Sequence, residues 1–326
     1  MRWKAGLLVA AAAAGAAGLF AASGAPPGGS QSVVVVIPAG ADAGRVADLL
    51  HRHGLVRSPL LFRLWARWRG LEGRIQAGEY RFSPAEGLHE ILRRLAAGDV
   101  VRYRLVFPEG LTAEDVARRL EEHGVVGAEA FLAEVGRADR YWIPQMQGNT
   151  TGRLEGYLFP DTYEFPRGLP ADRVVAAMVA RFQEATAELW SSPRPLGLSP
   201  YQVVTVASLV EREARRDAER PRIAGVLYNR LRRGMPLQVD ATVLYALGEH
   251  KERVLYRDLE VDSPYNTYRR TGLPPGPIAN PGLESLRAAM QPETHEYLYY
   301  VARPDGTHVF SRTLAEHERA RRAVQR

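Results

Sequence analysis

The sequence predicts an α+β protein: an N-terminal membrane anchor, a small strand–helix domain and a larger mixed α+β domain. Three observations lead there. An uncharged run follows a basic start. A strand–turn–helix pattern then recurs without gaps at an offset of 70 residues. Beyond it, helical patterns come before Tyr228, and strand patterns follow at Tyr297–Val301 and His308–Phe310.

The anchor is read from Met1-Arg2-Trp3-Lys4 and the uncharged stretch from Ala5 to Ser23. As a helix that stretch measures roughly 28 Å, just enough for a hydrocarbon core of about 30 Å. The basic residues before it place the N-terminus in the cytoplasm and the body outside. A cleaved signal peptide, cut among the small residues 22–25, is the alternative. The anchor is therefore assigned to 1–24 and a Pro/Gly/Ser linker to 25–32.

The small domain, 33–103, opens with Val33–Ile37 as a strand, turns at Pro38-Ala-Gly40, and continues as a helix from Asp42 to His53. Arg104–Phe107, Pro108-Glu-Gly110 and Thr112 to His123 repeat the pattern. Pro38/Pro108, Gly40/Gly110, Val46/Val116, Ala47/Ala117, Leu50/Leu120, His53/His123, Gly54/Gly124 and Val56/Val126 are identical pairs. Asp42 and Thr112 are candidate N-caps, and Gly54 and Gly124 candidate C′ glycines. Between the copies, Ile75–Phe82 alternates as a strand and Glu86–Ala97 reads as a helix ended by Gly98. Units of this size resemble the LysM-type glycan-binding module, though a packing domain would look the same. Phe62, Trp65, Trp68 and Tyr80 could stack on sugars, but their helical spacing favours a core role. The C-terminal basic run around Arg319, Arg321, Arg322 and Arg326 reads as a solvated tail.

Composition removes most chemistries. The chain has no cysteine, so disulfides, thiolate nucleophiles and cysteine metal sites are excluded. Its eight histidines are scattered, and His51 and His53 point apart on one helix. No serine-hydrolase elbow, P-loop or dinucleotide fingerprint is present. No metal and no cofactor are expected. The net charge of +6 is dispersed, so nucleic acid is not an expected partner. Carboxylates, amides and aromatics remain, the groups that cut glycosidic bonds.

They cluster in residues 104–326, the mixed domain. Ser199-Pro-Tyr-Gln202 carries a capping box with proline at N1. The helix after it is apolar nearly all round until Glu211 and Glu213, which lie about 200° apart and so cannot serve one cleft as a pair. Helical side chains lean toward positions i−3 and i−4. Glu211 leans over the small Ser208 and Ala207, leaving room for a ligand, whereas Glu213 leans over Val210 and Leu209. Glu211 is therefore the expected acid, and helix-end charges paired with Arg212, Arg215 or Arg216 are the alternative.

Ala207-Ser-Leu-Val-Glu-Arg-Glu213 resembles the catalytic-helix motif of the YceG-like endolytic murein transglycosylases, the MltG family. So do Leu154-Glu-Gly-Tyr-Leu-Phe-Pro-Asp-Thr-Tyr163, Ile223–Leu231, Gly234–Thr242, Ser263-Pro-Tyr-Asn-Thr-Tyr268 and Thr271–Gly282. Val239 and Ala241 depart from the family pattern at positions without a catalytic role. The resemblance implies cleavage inside peptidoglycan glycan strands, between N-acetylmuramic acid and N-acetylglucosamine, leaving 1,6-anhydromuramoyl ends. It implies an enzyme anchored in the inner (cytoplasmic) membrane, with its body in the periplasm or outer cell-wall space and peptidoglycan synthases as partners. One glutamate, carried onto Glu211, would be acid and then base. Glu155 is the second choice for that role, with an ion pair holding its loop as the alternative. Glu155, Ser208, Gln238, Asp240, Tyr265, Asn266, Thr267 and Tyr268 are the expected substrate contacts, with loop bracing as the alternative for Gln238, Asp240 and Tyr265–Tyr268. A catalytically inactive, membrane-anchored glycan-binding scaffold is the competing reading.

Overall fold

In a computed structural model that describes residues 31–248, 251 and 254–324, the chain forms two units. The anchor 1–24 and nearly all of the linker lie outside the described residues. Among the described residues no helix is long and apolar enough to cross a membrane.

The first unit holds residues up to Arg104 together with Glu164–Gly168. Its described part runs β1 (Val33–Ile37), α1 (Ala43–Arg52), α2 (Pro59–Trp68), β2 (Gly78–Phe82) and α3 (Leu88–Ala97). β1 and β2 pair antiparallel, with Val33 opposite Phe82 and Ile37 opposite Gly78. Alternation turns Val35, Ile37, Tyr80 and Phe82 inward. They meet Val46 and Leu50 of α1, Phe62 and Ala66 of α2, and Ile91, Leu92 and Leu95 of α3 in one core. Phe62 and Tyr80 are thus core residues, as their spacing suggested, but Trp65 is half-buried and Trp68 stands in solvent.

β3 (Tyr103–Val106) pairs with β4 (Thr162–Phe165), and the division between the units falls within both strands. In the second unit α4 (Ala113–Glu122) matches α1 at the predicted offset. Asp42 and Thr112 both accept a hydrogen bond from the backbone N–H three residues on. His53 and His123 are both C-caps, and Gly54 and Gly124 both have φ of 68°. The chain continues through α5 (Ala128–Val135), α6 (Ala171–Thr186), α7 (Pro200–Glu213), α8 (Arg220–Arg232), α9 (Asp240–Leu247) and α10 (Leu283–Met290). A hairpin of β5 (Tyr299–Ala302) and β6 (His308–Ser311) follows, and α11 (Leu314–Val324) packs on it.

α7 is the axis of this unit. Ser199 and Gln202 close the capping box, and every residue from Val203 to Val210 is buried, mainly against α8 and α10. The Leu154–Phe159 segment is buried too. At its centre Gly156 has φ of 90°, and a Cβ there would meet Pro277 Cγ at 2.6 Å and Val204 Cγ1 at 3.0 Å. Gly156→Ala is expected to destabilise the protein by about 2–4 kcal/mol, backbone strain and overpacking adding together. Denaturant unfolding measures this, and a cost below about 1 kcal/mol would show that the segment relaxes freely.

Helices do not stop at Tyr228 as expected: α9, α10 and α11 follow it. The supposed C-terminal tail is the helix α11. Thr313 Oγ1 accepts from Glu316 N at 3.3 Å, and Glu316 Oε2 accepts from the N–H groups of Arg312 and Thr313 at 2.8 and 3.3 Å. That is a capping-box pattern, Thr313-Leu-Ala-Glu316, readable in the sequence but masked by the arginines behind it. Arg326 lies outside the described residues.

Candidate active site

The two glutamates at the end of α7 do face opposite ways, and their surroundings differ in kind. Glu211 Oε2 lies 3.0 Å from Arg220 Nη1 and accepts from Gly282 N at 3.0 Å. Both side chains are buried. Arg220 also contacts Asp217 at 3.0 Å, Glu109 at 3.6 Å and the hydroxyl of Ser285. The space over Ser208, expected to admit a ligand, is closed. Ser208 is fully buried, donates to Thr205 O at 2.7 Å and accepts from Ile278 N at 3.1 Å. Glu211 is therefore placed as an acceptor that ties α7 to α8 and to the N-terminus of α10.

Glu213 instead lines a cleft of ≈ 600 Å³, shared with Gln238, Asp240, Tyr268, Arg230 and Tyr300. Its Oε2 accepts from the Tyr300 hydroxyl at 2.9 Å. Among the described residues no group hydrogen-bonds Oε1. Burial pushes its pKa up to about 7; the Tyr300 hydrogen bond works against that shift and the charge of Asp240 adds to it. The side chain is half-buried, dry enough to lose hydration yet open to the cleft. Burial also drives the Tyr300 hydroxyl well above its ordinary range, so it remains a donor. β5 brings it there: alternation places Tyr300 and Leu298 on one side of the strand. Opposite it in the hairpin is Phe310, and His308 Nδ1 lies 2.7 Å from Glu219 Oε2.

Three of the expected contacts meet in this cleft. Tyr268 donates its hydroxyl to Asp240, the first residue of α9. Gln238 is exposed and has φ of 53°, a strained backbone for a non-glycine residue. Its Oε1 accepts from Arg230 Nη1 at 3.2 Å, which leaves the amide N–H₂ to the cleft.

The remaining expected contacts do not join them. Tyr265 lines a second cleft of ≈ 360 Å³ with Tyr245, Arg153 and Arg212, and its ring lies 4.9 Å from that of Tyr245. Arg212 borders both clefts. Asn266 is buried, donating to Leu259 O and Val261 O at 2.8 Å each and accepting from Tyr268 N at 3.0 Å. Thr267 is buried too, accepting from Val239 N at 3.0 Å and bonding Thr242 Oγ1 at 2.9 Å. These two brace the loop that presents Tyr265 and Tyr268, as short polar side chains in Pro/Gly-rich loops commonly do. Glu155 is sealed inside. It accepts from Ala113 N at 3.1 Å and from Asn280 Nδ2 at 3.0 Å, at the start of α4. Burial raises its pKa to about 8, but neither cleft reaches it. Burial raises the pKa of Glu109, Glu155 and Glu213 alike; of these three, Glu213 alone lines either cleft.

Sequence reasoning weighed Glu213 and set it aside; it missed Tyr300 and Arg230. Among the described residues no group of three or more His, Asp or Glu could hold a metal ion.

The YceG-like family model matches residues 35–323. The endolytic murein transglycosylase of Bacillus subtilis is 36% identical over 300 residues, covering 87% of this chain and 82% of that protein. A protein of the same name from Streptococcus pneumoniae is 30% identical over 314 residues, covering 87% of this chain but 56% of the longer relative. A crystal structure of a YceG-like protein from Listeria monocytogenes superposes with a TM-score of 0.60 at 34% identity, covering 89% of this chain and 99% of that one.

Proposed function

The chain belongs to the YceG-like family, and we propose on that premise that it is an endolytic murein transglycosylase, a lyase of peptidoglycan glycan strands, with Glu213 as its acid and base. The relatives' shared activity supports the reaction. One observation carries the assignment of the residue: Glu213 is the carboxyl that combines a raised pKa, an open oxygen and a glycan-sized cleft. This replaces Glu211, whose pairing with Arg220 and Gly282 gives it a structural task.

The chemistry needs no second carboxylate. Protonated Glu213 gives its proton to the glycosidic oxygen as the C1–O4 bond of a muramoyl residue breaks. The C6 hydroxyl of the same sugar attacks C1, and its proton passes to the Glu213 carboxylate, restoring the acid. A 1,6-anhydro end forms and no water is consumed. The Tyr300 hydroxyl steadies the carboxyl through the oxygen that does not transfer the proton. Asp240, Tyr268 and the Gln238 amide offer hydroxyl and acetamido partners along the cleft, and Tyr265 a ring face in the adjoining one. The LysM-like reading of the first unit, the single-pass anchor, the location outside the membrane and partnership with peptidoglycan synthases belong to the same proposal; the sequence of residues 1–103 supports the first three, and the family resemblance alone the last.

A digest of purified glycan strands, read by mass spectrometry, tests the reaction. Fragments lacking one water relative to a reducing end are expected. Reducing ends would indicate a hydrolase and redirect attention to Asp240 as a second carboxylate; binding without cleavage would leave a scaffold.

A further inference from the structure

One helix of the first unit leaves an apolar stripe in water. In α2, Phe62 and Ala66 turn into the core. Leu60, Leu64 and Trp68, spaced four apart, stand on the other face at 56%, 51% and 73% exposure. Arg63 and Arg67 are exposed beside them on the same face. Arg69 lies over the Trp65 and Trp68 rings, at 5.7 and 5.1 Å from their centroids. From Arg57 through Leu71 the sequence has four arginines, Arg57 included, and no acidic residue.

A surface helix normally reverses this order, burying its apolar residues and exposing its charges. Leucine and tryptophan in one exposed stripe, edged by arginines, match a helix that lies in a membrane interface. The arginines would meet anionic headgroups, while the indole of Trp68 would sit at their depth. The length of the connecting chain agrees. Only residues 24–32 separate the uncharged N-terminal run from β1, a reach of at most about 30 Å when fully extended. We propose that α2 docks the first unit onto the anionic lipid surface of the membrane that anchors the chain. The inference rests on the anchored reading above.

The absence of cysteine gives a clean test. The full chain carrying Leu64→Cys, labelled with a polarity-sensitive fluorophore, is placed in nanodiscs of phosphatidylglycerol or of phosphatidylcholine. Retention on the discs in high salt reports the anchor separately. Docking predicts a blue-shifted emission, quenched at least twofold by brominated acyl chains, in the anionic discs. The effect should be lost in the charge-reversed variant Arg63→Glu/Arg67→Glu, whose changes are exposed and spare the core. Salt-resistant retention with the probe in water overturns docking and leaves the anchor. A buried probe on a chain released by salt supports docking and removes the anchor. Emission that shifts only when glycan strands are added overturns the proposal in favour of a sugar-stacking surface.

Discussion

Glu213→Gln is expected to cut the yield of anhydro-ended fragments by about 10²–10⁴-fold and, above pH 7, to leave a protein more stable than the wild type. Both effects have one cause. Burial holds the Glu213 carboxyl at about 7 when folded, against 4.5 ordinarily. The folded state therefore binds this proton more tightly than the unfolded chain does. The ionisation penalty is absent below pH 4.5, grows as pH rises, and is complete above 7, where it amounts to about 3 kcal/mol. Glutamine has nothing to ionise and keeps an oxygen for the Tyr300 hydroxyl. Thermal unfolding of the two proteins should coincide near pH 4 and separate at pH 8, with the variant higher. Wild-type activity should fall as pH rises through about 7, when the acid is lost. A gap in stability that ignores pH, or a variant that still cleaves, would refute the assignment.

Arg220→Met is expected to act in the opposite sense, costing about 3–5 kcal/mol at neutral pH. The guanidinium stands among Glu211, Glu109 and Asp217, and its removal leaves Glu211 buried without its cation. Burial and the Glu211 charge already raise the Glu109 pKa. Without Arg220 the two carboxylates repel unscreened until one is protonated, so the loss should shrink on acidification toward pH 4. For a unit of this size the melting point should drop by on the order of 10 °C. The double variant Glu211→Gln/Arg220→Met should recover a large part of the loss, because it removes the stranded charge together with its partner. A cost below 1 kcal/mol, or no recovery in the double variant, would show that the cluster is not what joins α7 to α8.

What could be read in advance followed the range of the forces involved. The matched elements β1, α1, β3 and α4 were legible because their signals are local: alternation, an N-cap at Asp42 or Thr112, and a glycine at 54 or 124. The capping box of α7 and the burial of its Val203–Val210 stretch were legible for the same reason. Helical rotation also fixed that Glu211 and Glu213 face apart. It could not say which faces the cleft, because their neighbours come from distant parts of the chain: Arg220 and Gly282 on one side, Tyr300 and Asp240 on the other. The expectation of open space over Ser208 failed on the segment at Ile278. Asn266 and Thr267 looked like sugar ligands by residue type, yet they are spent on their own loop.

The opposed glutamates on one helical turn also set how such a gene can decay. On the proposed assignment, losing the Glu213 carboxyl cuts cleavage sharply and relieves a desolvated charge, so drift to a non-cutting descendant meets no folding barrier there. Losing the Glu211 carboxyl takes from Arg220 its buried partner, leaving the more exposed Glu109 and Asp217, and costs stability whether or not the enzyme is needed. Inactive descendants should therefore retain Glu211 and vary at 213, so that invariance at this helix end would identify the strut and variation the blade.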